Sequence, residues 1–134
     1  MLAYRLGNDI DPDAFIDVVR SSTLGEHRPI DDREAMRVML AAANLVVSAW
    51  DGDRLVGIAR SLSDFVFCTY LSDLAVRLEY QRQGIGKELL RRTQKGGKSA
   101  TIFLFAAPAA AAYYEHLGLA SGSGWVLSPL KRLR

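Results

Sequence analysis

The sequence predicts an α/β fold: a mixed central β-sheet flanked by about four helices. Three observations lead there. Apolar, β-rich runs alternate along the chain with segments whose apolar residues recur at helical spacing. Asp51-Gly52-Asp53 lies between two apolar runs, a strong hairpin signal. Residues 74–90 run from an apolar strand through a turn with two glycines into a helix.

Each element follows from its residues. Residues 3–6 form a first strand. Asp11-Pro12-Asp13 opens a helix, with Asp as cap, Pro at the first helical position and an acid in the first turn. Ala14, Phe15, Val18 and Val19 give that helix its apolar face. Residues 21–30 are a loop. Asp31-Asp32-Arg33-Glu34 has the pattern of a capping box with Asp31 as cap, and Ala35, Met36, Met39, Leu40 and Ala43 follow at helical spacing. Residues 44–50 and 54–60 are the arms of the hairpin, and 65–76 is β-rich. Residues 84–95 are helical, with Arg91, Arg92 and Lys95 where cations complement the helix dipole, and Gly96-Gly97 ends the helix. Residues 101–105 read as a buried strand. Pro108 starts an alanine-rich helix that ends at Gly118, and residues 125–130 are a last strand.

Composition sets bounds. The 134 residues are 49% hydrophobic and 24% charged, which fits one domain spanning 1–134 with its own core. A net charge of +2 gives no strong pull toward nucleic acid or a membrane surface. Cys68 is the single cysteine, so no disulfide framework forms within the chain, and a reducing, cytoplasmic setting is expected. No signal-peptide pattern opens the chain, and no run reaches the ~18 apolar residues of a membrane span. Repeats and linkers are not visible.

The strand–turn–helix segment carries the chemistry. The first N–H groups of a helix lack internal partners and sit at the positive end of its dipole, so they attract anions. Glycines there let backbone approach a phosphate. The dinucleotide fingerprint fails, because Leu89 stands where its third glycine belongs. The P-loop pattern fails twice. Gln81 holds the first-glycine place ahead of Gly86-Lys87, and Arg92 holds it ahead of Gly97-Lys98-Ser99.

What remains is Gln81-x-x-Gly84-x-Gly86. It resembles the pyrophosphate-binding motif of the GNAT superfamily of acetyl-CoA-dependent N-acetyltransferases. Ala112-Tyr113-Tyr114-Glu115-His116-Leu117-Gly118-Leu119 is similar to the later aromatic element of that family, in the right order and separation. The resemblance covers most of the chain, with its motifs between residues 74 and 119.

The resemblance implies a sheet splayed beyond Val76, leaving a slot between that strand and residues 101–105. It implies that acetyl-CoA is the co-substrate. Leu74, Ala75 and Val76 would form the pantetheine strand, through backbone groups of Leu74 and Val76, with the Leu74 amide polarising the thioester carbonyl. Backbone groups of Arg82, Gln83, Gly84, Ile85, Gly86 and Lys87 would cradle the pyrophosphate. Arg82 and Lys87 would add charge or simply form a solvated basic face. Tyr114 matches the family tyrosine that acts as general acid, since a phenol near pKa ~10 can protonate a leaving thiolate. Tyr113 would pack in the core. The general base stays open. Leu74 would share its face with Ser72, Tyr70 and Cys68, none acidic, and Asp73 would face the other way as a structural residue. Asp64 or a water chain are the alternatives. His27, Arg28, Asp64, Tyr70 and Trp125 are the candidate acceptor-facing residues. Cys68 would be a small core residue, and His27, His116 and Cys68 are too few for a metal site. The acceptor would be a primary amine, a small molecule ahead of a peptide or protein amine. Family members are often dimers, so a homodimer is raised without an interface being located. The competing reading is a domain that binds acetyl-CoA or CoA without turnover.

Overall fold

Helix starts and the hairpin turn fall where local chemistry puts them. The computed structural model describes all 134 residues. Strand β1 (Leu2–Leu6) precedes helix α1 (Pro12–Arg20), whose cap Asp11 accepts a hydrogen bond from the Asp13 amide. A short 3₁₀ segment, Thr23–His27, follows within the expected loop. Helix α2 (Arg33–Ala42) starts one residue later than the capping box suggests: Asp32, not Asp31, accepts the Ala35 amide. Strands β2 (Leu45–Asp51) and β3 (Arg54–Ser63) form the hairpin around Gly52, which has a left-handed φ of 60°. Strand β4 (Cys68–Val76), helix α3 (Ile85–Gly96), strand β5 (Thr101–Phe103) and helix α4 (Ala111–His116) complete the order.

The sheet runs β1-β2-β3-β4-β5 in space. Its first four strands are antiparallel, and β5 joins β4 in parallel. Helices cover both faces. Phe15, Val18 and Val19 of α1 and Met36 and Leu40 of α2 pack with Val46, Ile58 and Ala75 on one face. Ile85 and Leu89 of α3 pack with Val47, Val56, Ala59 and Leu71 on the other. Burial of these side chains is the main drive for layering helices on the sheet, at about 1.5–3 kcal/mol each. Gly57 sets the depth of α3. A Cβ there would stand 3.0 Å from Leu89 Cδ1 and 3.2 Å from Ile85 Cγ2, so even a methyl would press on these two side chains.

β4 carries a bulge. Arg60 of β3 faces Asp73, but Ser61 faces Leu71, which leaves Ser72 without a partner. One extra residue reverses the faces that side chains take. Leu71 therefore shares the α3 face with Leu74 and Val76, while Ala75 lies in the α1–α2 core. This corrects the simple alternation expected from sequence, which put Leu74 with Tyr70 and Cys68.

Four further expectations change. The sheet splays earlier than Val76, because β5 pairs only with residues 68–70. β5 is three residues long and Phe103 is half exposed, so it is an edge strand rather than a buried one. Residues 125–130 form no strand. Ser128 and Pro129 interrupt the run, and both Leu130 and Lys131 amides bond back to Ser128. Cys68 is exposed, not packed in the core. No helix is long and apolar enough to cross a membrane.

Arg77 fastens the end of β4 to α1. Its buried guanidinium donates to the Leu55 carbonyl at 2.7 Å, to Ser21 Oγ at 3.1 Å and to Asp17 at 2.6 Å. Arg77→Met keeps much of the stem but leaves the Leu55 carbonyl unpaired. It should lower unfolding free energy by about 2 kcal/mol in urea titration.

Candidate functional site

β4 continues beyond Tyr70 with no strand on its β5 side, and a cleft of about 420 Å³ opens along that edge. Leu74 and Val76 form one wall. Gly84, Ile85, Gly86 and Lys87, at the start of α3, form the end. Tyr113 and Tyr114 of α4 and Leu117 just after it close the far side, and Thr23 reaches in from the α1–α2 loop.

Backbone direction gives the cleft its donors. The Arg77 amide donates to the Val56 carbonyl on β3. Amides alternate along a strand, so those of Ala75 and Asp73 also face β3, and those of Leu74 and Val76 face the cleft. At the other end, the N–H groups from Arg82 to Lys87 have no acceptor within the chain. The α3 dipole adds positive potential at the same place. Gly84 makes the turn with a φ of +81°, and Arg82 sits in the left-handed region at +63°. Such a conformation costs a non-glycine residue about 1–2 kcal/mol, the kind of strain found at sites that bind or react.

Charge is distributed unevenly. Arg91 and Arg92 both donate to Glu88 and hold its carboxyl down to about 2. Arg82 and Lys87 make no salt bridge and line the cleft. The Gln81 side chain donates to the Val76 carbonyl at 3.0 Å, which ties the motif glutamine to the strand. None of the lining residues is acidic. Tyr113 and Tyr114 meet edge to face at 5.3 Å. Burial raises both phenols, and the neighbouring Tyr113 raises Tyr114 further, so both stay protonated at neutral pH.

The structure brings Leu74, Val76, Arg82, Gly84, Ile85, Gly86, Lys87 and Tyr114 to this one cleft. Ala75 is buried in the opposite core, and Gln83 offers only its backbone from outside the lining. Tyr113 departs from its expected core position. It is 41% exposed, and its hydroxyl lies 3.0 Å from where a Cβ on Gly86 would stand. The acceptor-facing set does not assemble. His27 is exposed on the loop. Arg28 is turned inward onto Asp73. Asp64 Oδ1 accepts the amides of Val66, Phe67 and Cys68, and these bonds lower its pKa, so it closes a turn rather than offering a free base. Tyr70 packs edge to face on Phe105 and lines a separate shallow recess with Asp64 and Cys68. Trp125 is 93% exposed on an unpaired segment. No three His, Cys, Asp or Glu side chains gather as metal ligands do.

The acetyltransferase (GNAT) domain model matches residues 21–121. The chain belongs to the GNAT acetyltransferase family. It is 34% identical over 106 residues to an uncharacterized N-acetyltransferase, ycf52-like, of Prochlorococcus marinus, a match covering 72% of this chain and 56% of that protein. The chain thus spans about half the length of the curated relatives it matches. Its fold matches a GNAT-family acetyltransferase of Streptococcus pneumoniae with a TM-score of 0.75 at 22% identity, covering 95% of this chain and 98% of that one. Aminoglycoside N-acetyltransferase AAC(6')-Iy, solved with CoA, matches with a TM-score of 0.75 at 15% identity, over 99% and 96% of the two chains.

The GNAT motifs single out the turn and the aromatic element, but Thr23, Tyr80 and Ala110 also line the cleft and belong to neither motif. Two outcomes follow from the turn and helix α3. Gly84→Val forces a β-branched residue into the left-handed region and should cost about 2 kcal/mol in urea unfolding. Because Glu88 titrates from 4.5 when unfolded to about 2 when folded, its contribution is complete above 4.5 and lost as pH falls toward 2. Acid unfolding followed by circular dichroism should lose that part of its pH slope in Glu88→Gln.

Proposed function

We propose that residues 1–134 act as one acetyl-CoA-dependent N-acetyltransferase domain, transferring acetyl directly to a primary amine. One observation carries the reading. An open strand edge, a run of free helix-start amides and a half-buried phenol converge on one acid-free cleft. The strand edge suits an extended chain such as pantetheine, which adds like another strand. The amides from Arg82 to Lys87, with the Arg82 and Lys87 charges, suit a pyrophosphate.

Acetyl-CoA supplies an activated acetyl thioester when bound. The Leu74 N–H is directed to the carbonyl and stabilises the charge that develops on its oxygen. The amine nitrogen forms its bond to the carbonyl carbon, the C–S bond breaks, and Tyr114 gives its phenolic proton to the departing sulfur. The amine loses its proton to water, since no carboxylate lines the cleft. A small-molecule amine is the favoured acceptor over a peptide amine. In support, one fold neighbour is named for an aminoglycoside substrate, and that likeness is one of fold.

A second reading, a domain that holds acetyl-CoA without turnover, draws on the same lack of a cleft carboxylate. Titration calorimetry with acetyl-CoA, using desulfo-CoA and NAD as controls, tests the shared premise. Saturable acetyl-CoA binding without NAD binding is expected, and no acetyl-CoA binding overturns both readings. Thiol release across an amine panel then separates them. Tyr114→Phe should cut kcat at least roughly tenfold while acetyl-CoA affinity holds within about threefold. The native alkaline limb should lie above the ordinary phenol value of ~10 and vanish in that variant. Unchanged kcat would remove Tyr114 from the acid role.

A further inference from the structure

The molecule buries one carboxylate that the cleft does not use. Asp73 is fully buried on β4, and both of its oxygens are held by arginines from other elements. Arg28, from the α1–α2 loop, donates Nε to Oδ1 at 2.6 Å. Arg60, from β3, donates Nε to Oδ2 at 2.5 Å. The same guanidiniums grip the bulged residue beside it. Arg28 Nη2 donates to the Ser72 carbonyl at 2.7 Å, and Arg60 Nη2 to Ser72 Oγ at 2.9 Å. Their remaining donors meet the His27 and Met39 carbonyls.

Removing three charges from water is expensive unless every donor and acceptor is matched, and here the matching is nearly complete. What the arrangement secures is local. A bulge bends a strand and interrupts its ladder. Ser72 is the bulged residue, and it stands between residues 68–70, which pair with β5, and Leu74, which does not. The Ser72 carbonyl, next to the bulge, is met by Arg28. Arg28 also carries the loop that sends Thr23 into the cleft.

We propose that Asp73 is a positioning residue: by holding Arg28 and Arg60 on Ser72 it fixes the bend that leaves the Leu74 amide uncovered and aimed at the thioester carbonyl. The proposal rests on the acetyl-CoA reading above. It adds a part that touches no substrate and acts through the bulge, and it ties the two sides of the cleft to one carboxylate.

The test follows the Leu74 amide by ¹⁵N-resolved NMR of the full chain, with CoA and acetyl-CoA as the probes. In the native protein, acetyl-CoA should move that resonance further downfield than CoA does, because only acetyl-CoA offers a carbonyl acceptor. Asp73→Asn should abolish at least half of this acetyl-dependent difference while CoA affinity stays within about threefold. Arg77→Met, which weakens the fold without touching the bulge, should keep the full difference. If Asp73→Asn fails to fold, Arg28→Gln carries the same expectation, since it removes the Ser72 carbonyl bond from a partly exposed side chain. A full difference in Asp73→Asn, or in Arg28→Gln where that variant carries the test, overturns the proposal. So does an equal loss in Arg77→Met, which would make the effect general destabilisation. Acetyl-CoA binding with no acetyl-dependent shift in the native protein overturns the proposal but leaves the cofactor reading standing. Failure of both probes to bind removes the reading and the proposal with it.

Discussion

β4 pairs with β5 over residues 68–70 and then runs to Val76 with no neighbour on that side. An open strand edge inside a protein leaves N–H and C=O groups without partners, and proteins rarely leave such an edge uncovered. Here the edge is kept open by construction. A bulge at Ser72 interrupts the register with β3, and Arg28 and Arg60 bond the Ser72 carbonyl and hydroxyl there. Leu71, Leu74 and Val76 then share the α3 face, and α3 brings its unpaired amides against the same edge. If β4 followed β5 along its full length, no cleft would remain for Tyr113 and Tyr114 to close.

The acids of the chain are kept away from this edge. Asp73 is held by two arginines, Asp64 by three amides, Glu88 by Arg91 and Arg92, and Asp51 by the Tyr80 hydroxyl. The cations nearest the cleft, Arg82 and Lys87, are left unpaired. The outcome is a positive, acid-free concavity, which is the field an anionic ligand meets first. Burial, with Tyr113 beside Tyr114, keeps the two phenols protonated within this positive concavity.

Local chemistry made much of the fold legible. Asp11-Pro12 marks a helix start, Asp51-Gly52 a hairpin, and Gln81, Gly84 and Gly86 the turn before α3, because each is read from neighbours in sequence. What was not legible depends on distant partners. The bulge cannot be seen in the run Leu71-Ser72-Asp73, since it exists only as an offset against Arg60 and Ser61. Arg28 looked like a loop cation available to substrate, and it faces inward only because Asp73 lies 45 residues away in sequence. Tyr113 had the residue type of a core aromatic, yet α4 is too short to bury it. Trp125 and its neighbours have β-strand composition, but composition alone does not supply an edge to pair with.

Gly57 has no functional group and belongs to no motif, and it sits on β3 beneath Ile85 and Leu89. A side chain larger than a methyl there would lift α3 and carry the amides of residues 84–87 away from the β4 edge. In a genetic screen for lost activity, Gly57 would score beside the cleft residues, and an allele there would be mistaken for a catalytic one. Its phenotype would differ in one respect: compensating changes would arise as smaller side chains at Leu89 or Ile85, across the sheet–helix interface, rather than anywhere around the cleft.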